Sequence, residues 1–217
     1  MANAGISSFG PLRLSDPAAW IRTVEVNLVG VYHTVRAALP AVIEQRGYVA
    51  VTASLASFTQ APHMSAYCAT KAGVEALCNS LRIGVAQYGV DVVTIHPSWI
   101  DTDMVRESEG SMRAFQVLRA ALRPPFKRTY PVERAAQDIV AGFEQRRRRI
   151  CTPRFVYAAH AVRPLLTTRL FERDVLAAAP AMERAFRQEL AERGVEGASV
   201  SERVARQLAP EHGHSDA

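Results

Sequence analysis

Apolar side chains recur at spacings of three and four from Trp20 through Val24, Leu28, Val31 and Val35. That period predicts one long helix from Ala18 to about Gln45. Ser15-Asp16-Pro17 supplies a capping side chain and a proline for its first turn, Pro40 is a candidate kink, and Gly47 follows its end. The pattern then changes. Tyr48-Val49-Ala50-Val51-Thr52-Ala53 is short, apolar and β-branched, as a strand buried on both faces must be. A loop from Ser54 to Met64 leads into a helix from Ser65 to Tyr88, which stops at Gly89. Asp91 to His96 reads as a second buried strand, ended by Pro97. Residues 98–130 read as loop with one short helix, 131–145 as a helix, and Ile150-Cys151-Thr152 as a short last strand. Two helices divided near Pro180 follow over 157–193, and periodicity is lost from Gly194. Helices alternating with buried strands predict an α/β domain around a parallel sheet.

Composition narrows this picture only a little. The 217 residues are enough for one domain, and 48% apolar with 22% charged residues is ordinary for a globular chain. No uninterrupted apolar run of about 18 residues occurs, so no membrane span is expected, and the start lacks the pattern of a signal peptide. Cys68, Cys78 and Cys151 have no metal-site spacing, so no metal is expected; reduced thiols and a cytoplasmic location are. The net charge of +5 is uneven: residues 1–110 carry 7 basic and 9 acidic side chains, and 111–217 carry 19 and 12. Nearly all the bases are arginine, and only Lys71 and Lys127 are lysine.

Lys71 stands four residues after Tyr67, on one face of a helix. A free phenol ionises near pH 10, and a neighbouring ammonium favours the phenolate. The pair therefore suits a tyrosine that gives or takes a proton. Ser54 lies just past the C-terminal end of the first full strand, the rim where open α/β sheets bind ligands. Pro97 to Thr102 leave the second strand at that rim, and Asn27 is a polar residue on an apolar helical face. Four polar groups thus converge on one sheet edge.

These residues resemble the short-chain dehydrogenase/reductase family. Ala2-Asn3-Ala4-Gly5 is similar to its Asn-Asn-Ala-Gly turn, with alanine for the first asparagine. Ser54 stands 27 residues after Asn27 and 13 before Tyr67, both usual family spacings. Pro97-Ser98-Trp99-Ile100-Asp101-Thr102 resembles the Pro-Gly-x-x-x-Thr segment, with Ser98 for glycine. The resemblance covers about residues 1–152. It implies a partial doubly wound, Rossmann-like sheet over residues 1–155, a helical extension over 156–194 and a disordered tail over 195–217. It also implies NAD or NADP as cofactor, and interconversion of a carbonyl and an alcohol by hydride transfer. Tyr67 would be the acid/base. Lys71 would lower its pKa and hold the nicotinamide ribose. Ser54 would hold the substrate oxygen, and Asn27 would kink its helix and hold a relay water through its carbonyl. Asn3 would lie by the adenosine side, with Pro97, Ile100 and Thr102 around the nicotinamide.

The family's Gly-x-x-x-Gly-x-Gly turn does not occur in the 217 residues. The expectation is an N-terminally shortened chain that binds nicotinamide cofactor weakly or not at all by itself. The alternative is a non-catalytic remnant serving as a binding or oligomerisation module through the helices at 17–45 and 65–88. A homo-oligomer is expected on either view. Met104, Met112, Phe115, Val117, Leu118 and Phe126 fall where the family covers its substrate, so they favour an apolar one or pack the lid itself. Arg146 to Arg149 suit a solvated helix end better than a nucleic-acid site, since no aromatic residues interleave them. The arginine-rich helices of 157–193 suit packing on the domain or a partner better than an anionic membrane surface. His63 reads as a surface histidine that could reach substrate from its loop.

Overall fold

The computed structural model describes residues 1–201 together with 204 and 205. Three parallel strands, β1 (Tyr48–Thr52), β2 (Asp91–Pro97) and β3 (Arg149–Thr152), lie in the order β1-β2-β3. Val49 pairs with Val92 and Ile95 with Ile150 across the two ladders. Ala2 extends the sheet beyond β1, giving its N–H to Ala50 and accepting from Thr52.

Alternation along the strands sends side chains to two layers. Val49, Val51 and Val92 face α2 (Gly30–Glu44) and α3 (Ser65–Val85), while Ala50, Val93, Ile95 and Ile150 face Ile139 and Phe143 of α6 (Val132–Glu144). The sheet is therefore covered on both sides, and the Rossmann-like reading holds.

The first long helix is α1 (Pro17–Val24) and α2 joined by a π-helical turn, Glu25–Val29, and Pro40 lies inside α2 without ending it. Asp16 caps it, accepting from the N–H groups of Ala18 and Ala19. The whole stretch, Pro17–Glu44, is by length and composition alone long and apolar enough to cross a membrane. In this fold Thr23, Asn27, Val31 and Val35 are buried along its inner face.

Three expectations are corrected. Residues 98–130 hold two helices, α4 (Asp103–Ser111) and α5 (Arg113–Ala121), instead of one. The division expected near Pro180 falls earlier, at a 3₁₀ turn over Arg163–Thr167 between α7 (Phe155–Ala161) and α8 (Arg169–Ser199). Pro180 sits inside α8, because Met182 and Phe186 just beyond it are fully buried and hold the helix together. The tail expected from residue 195 is packed as far as 201. Gly194 turns the chain at φ 72°, and Ala198 to Ser201 are then buried, with Val200 bridged to Ser8. Residues 202, 203 and 206–217 lie outside the described residues.

The extension is not separate from the domain. Phe9, Met64, Met112, Phe115, Leu118, Met182 and Phe186 form one apolar cluster, so the segments above the sheet and α8 share a core.

Candidate active site

β1 and β2 deliver their ends to one rim, and α3 starts above it. Ser54 leaves β1 in extended conformation (φ −170°, ψ 163°) and caps a short 3₁₀ turn, its Oγ accepting from Ala56 N–H at 3.1 Å. The Ser57 hydroxyl donates to the Lys71 carbonyl at 3.0 Å, which ties this turn to α3. Tyr67, on the first turns of α3, is half-buried, and its phenol shares the cleft wall with Ser54, whose side chain acts on its proton affinity. Lys71 lies one helical turn on, only 3% exposed, with Nζ 5.6 Å from the Tyr67 ring centre. Its ammonium donates to the Thr52 carbonyl at 2.8 Å. Among the described residues that is its one hydrogen bond, which leaves two N–H groups for a ligand.

Burial dominates the proton affinities. It pushes the Tyr67 phenol up, and the Ser54 side chain pulls partly back. Burial also lowers Lys71 from 10.5 to about 8, so the ammonium keeps its proton at pH 7. The sequence led to the expectation that Lys71 depresses the tyrosine; in the free chain burial raises the phenol instead, and the group that pulls it back is Ser54.

Asn27 is fully buried in the π turn. Its Oδ1 accepts from Ile6 N–H at 2.8 Å, and its Nδ2 donates to the Ile6 carbonyl at 2.9 Å and the Thr70 hydroxyl at 3.3 Å. The side chain thus clamps the N-terminal turn to α3. A Cβ at Gly5 would lie 3.3 Å from Asn27 Oδ1 and 3.6 Å from Lys71 Nζ, so only a bare backbone fits comfortably between them.

A cleft of about 1170 Å³ opens beside these groups. Asn3, Ser54, Tyr67, Lys71, Pro97, Ile100 and Thr102 all line it; Asn27 is not in its wall and is tied instead to Ile6 and Thr70. Asn3 Oδ1 accepts from the Thr52 hydroxyl at 2.7 Å, and Ile100 is held by a bridge to Tyr130. The sequence-derived set is therefore brought to one place. His63 is not part of it. Its ring packs edge-on against Phe9 and Phe186, at 5.5 and 6.4 Å. Arg146 is occupied by Asp91 at 2.7 Å and by the carbonyls of Arg46 and Gly47.

Two residues that sequence reasoning passed over also shape the site. Thr52 supplies the carbonyl that anchors Lys71. His96 is fully buried against the Ser54 main chain. A histidine two residues after Thr94 in an otherwise apolar strand was its one visible signal.

The sequence model of the short chain dehydrogenase family matches residues 1–112. The chain belongs to that family. A Mycobacterium tuberculosis protein described as an uncharacterized NAD-dependent oxidoreductase is 33% identical over 133 residues, covering 60% of this chain and 46% of the relative. The (-)-trans-carveol dehydrogenase of Rhodococcus erythropolis is 36% identical over 117 residues, covering 52% and 42%. The short chain dehydrogenase chain thus spans less than half the length of these curated relatives. Its fold is similar to a gluconate 5-dehydrogenase of Burkholderia cenocepacia, crystallised with NADP and tartrate. There the TM-score is 0.62 at 23% identity, over 72% of this chain and 63% of that one.

Proposed function

We propose that the chain carries the proton-transfer half of an NAD(P)-dependent oxidoreductase that interconverts a carbonyl and an alcohol. The observation that carries this reading is that Ser54, Tyr67 and Lys71 line one cleft, with the buried Lys71 ammonium 5.6 Å from the Tyr67 ring centre. In reduction Tyr67 gives its proton to the substrate oxygen, and in oxidation it takes the proton back. Ser54 holds that oxygen where negative charge develops. Lys71 has donors left for a ribose hydroxyl, and the backbone of Asn27, in the widened turn, holds a relay water. Pro97, Ile100 and Thr102 fit the nicotinamide end of NAD or NADP, which when bound supplies or takes the hydride, and Asn3 fits its adenosine side.

The substrate is a small, apolar alcohol or ketone. Met104, Val105, Phe115, Leu118, Phe126 and Leu166 line the cleft, and one relative is named for carveol. The free thiols suit a cytoplasmic setting. Ile21, Val29, Tyr32 and Ile83 are exposed on α1, the π turn, α2 and α3, and pairing of these faces gives a homo-oligomer. Light scattering of the purified chain is expected to return at least a dimer; a monomer at all concentrations would refute the pairing.

The test of function compares wild type with Tyr67→Phe on secondary alcohols and both nicotinamide cofactors. If the 217 residues alone give no turnover, the comparison is made in a chimera carrying a family member's glycine-rich cofactor segment. Tyr67→Phe is expected to lose about 10²–10⁴ in rate. Undiminished turnover would overturn the reading and favour a non-catalytic module.

A further inference from the structure

The ladder between β1 and β2 ends at Thr52 and Ile95. One step further along β2, the side chain of His96 takes over from the main chain. Its Nδ1 lies 3.1 Å from the Ser54 carbonyl, and its Nε2 lies 3.0 Å from the Thr94 hydroxyl. A carbonyl oxygen can only accept, so Nδ1 carries the hydrogen, and in the neutral ring Nε2 must then accept from Thr94. Both ring nitrogens are used, and the residue has no exposed surface.

In the proposed chemistry Ser54 sets its hydroxyl against Tyr67, with which it lines the cleft. Its own turn supplies local ties: Ser57 N–H donates to the Ser54 carbonyl at 3.0 Å, and Ser54 N–H to the Ser57 hydroxyl at 3.3 Å. The His96 bond is of another kind, because it fixes the turn to the sheet across a separation of 42 residues. We propose that His96 is a positioning residue: its Nδ1–H holds the Ser54 carbonyl and so sets the hydroxyl of that residue against Tyr67. This rests on the oxidoreductase reading above.

The surroundings keep the ring neutral. Phe58 packs on it at 5.7 Å, and His160 of α7 stands 6.0 Å away. Glu75 of α3 would attract a proton to His96, but three cationic or polar neighbours engage it: His160 at 3.3 Å, Arg163 at 3.2 Å and Arg149 of β3 at 3.8 Å. Burial lowers His96 to about 4, against the pull of the Ser54 bond and Glu75. A ring that stays neutral presents the same hydrogen to Ser54 throughout the working pH range, which a titrating histidine would not.

The test uses the 217-residue chain labelled with ¹⁵N-histidine and ¹³C-tyrosine. Long-range ¹H–¹⁵N spectra at pH 7 are expected to show His96, assigned from its loss in His96→Asn, as the Nδ1–H tautomer. An Nε2–H tautomer would overturn the proposal, and this measurement needs no variant fold beyond the assignment. The alkaline titration of Tyr67, assigned with Tyr67→Phe, gives a second readout. His96→Asn retains an amide donor for the Ser54 carbonyl and is expected to keep the wild-type midpoint. His96→Leu is expected to raise it by roughly half to one pH unit, the worth of one hydrogen bond. In a Ser54→Ala background the same leucine is expected to move it no further. An unmoved midpoint in His96→Leu, or a further rise without Ser54, would overturn the proposal. None of these readouts needs turnover. An active Tyr67→Phe enzyme would therefore sink the oxidoreductase reading while leaving the His96–Ser54 tie measurable.

Discussion

At Lys71, burial sets how tightly the proton is held. The ammonium is nearly inaccessible and has one fixed acceptor, the Thr52 carbonyl. Its proton is held less tightly in the folded chain, at about 8 against 10.5. Between those values the unfolded chain binds the extra proton, so Lys71's contribution to stability rises with pH. Below pH 8 both states are protonated and the burial cost is felt in full. Urea unfolding of wild type and Lys71→Met is therefore expected to show their difference moving in favour of wild type by on the order of 3 kcal/mol from pH 7 to 10.5. Subtracting the variant removes the buried cysteines, whose raised pKa values act with the opposite sign. A pH-independent difference would mean that Lys71 is solvated. The sequence made the Tyr67/Lys71 pair and Ser54 legible, because helical spacing and strand ends are local properties. Which effect governs the tyrosine was not legible, because desolvation depends on everything packed around it.

At the scale of elements, the informative positions are those where two elements come closer than side chains allow. A Cβ at Gly142 in α6 would lie 2.4 Å from two carbons of Ile150, which is fully buried in β3. Alanine would gain about 1 kcal/mol of helix propensity, but overpacking costs about 1–3 kcal/mol. Gly142→Ala is thus expected to lower unfolding stability by up to about 2 kcal/mol in urea titrations; a stabilised variant would show that α6 can slide off the sheet at no cost. The π turn belongs at this scale too. Asn27 stood out as a polar residue on an apolar face, yet the sequence did not disclose that its amide is spent on the Ile6 backbone. Pro180 and Pro164 show the same limit. Either proline could end a helix, and the burial of Met182 and Phe186 decided that only the earlier one does.

For the whole molecule, the two ends of the described chain close on each other. Phe9 N–H donates to the Ser199 carbonyl at 2.8 Å, Asp16 N–H donates to the Ser199 hydroxyl at 2.8 Å, and Ala198 and Val200 are buried. Cutting the chain after Gly194 removes these bonds and uncovers Ala19 and Ile6, which pack with Val200. Calorimetry is expected to show a melting temperature lower by about 10 °C, several kcal/mol for a chain of this size. An unchanged melting temperature would mean that this closure does not hold the domain.

The sequence by itself determined the α/β alternation, the parallel strands and the residues gathered at their ends, because periodicity and strand direction are written locally. It also carried the family, in motifs kept at set separations. Only the tertiary structure decided where the proline-bearing helices break, that residues 198–201 are buried, and that a histidine from the neighbouring strand holds Ser54. Those outcomes depend on contacts between segments far apart in the chain, and no local pattern records them.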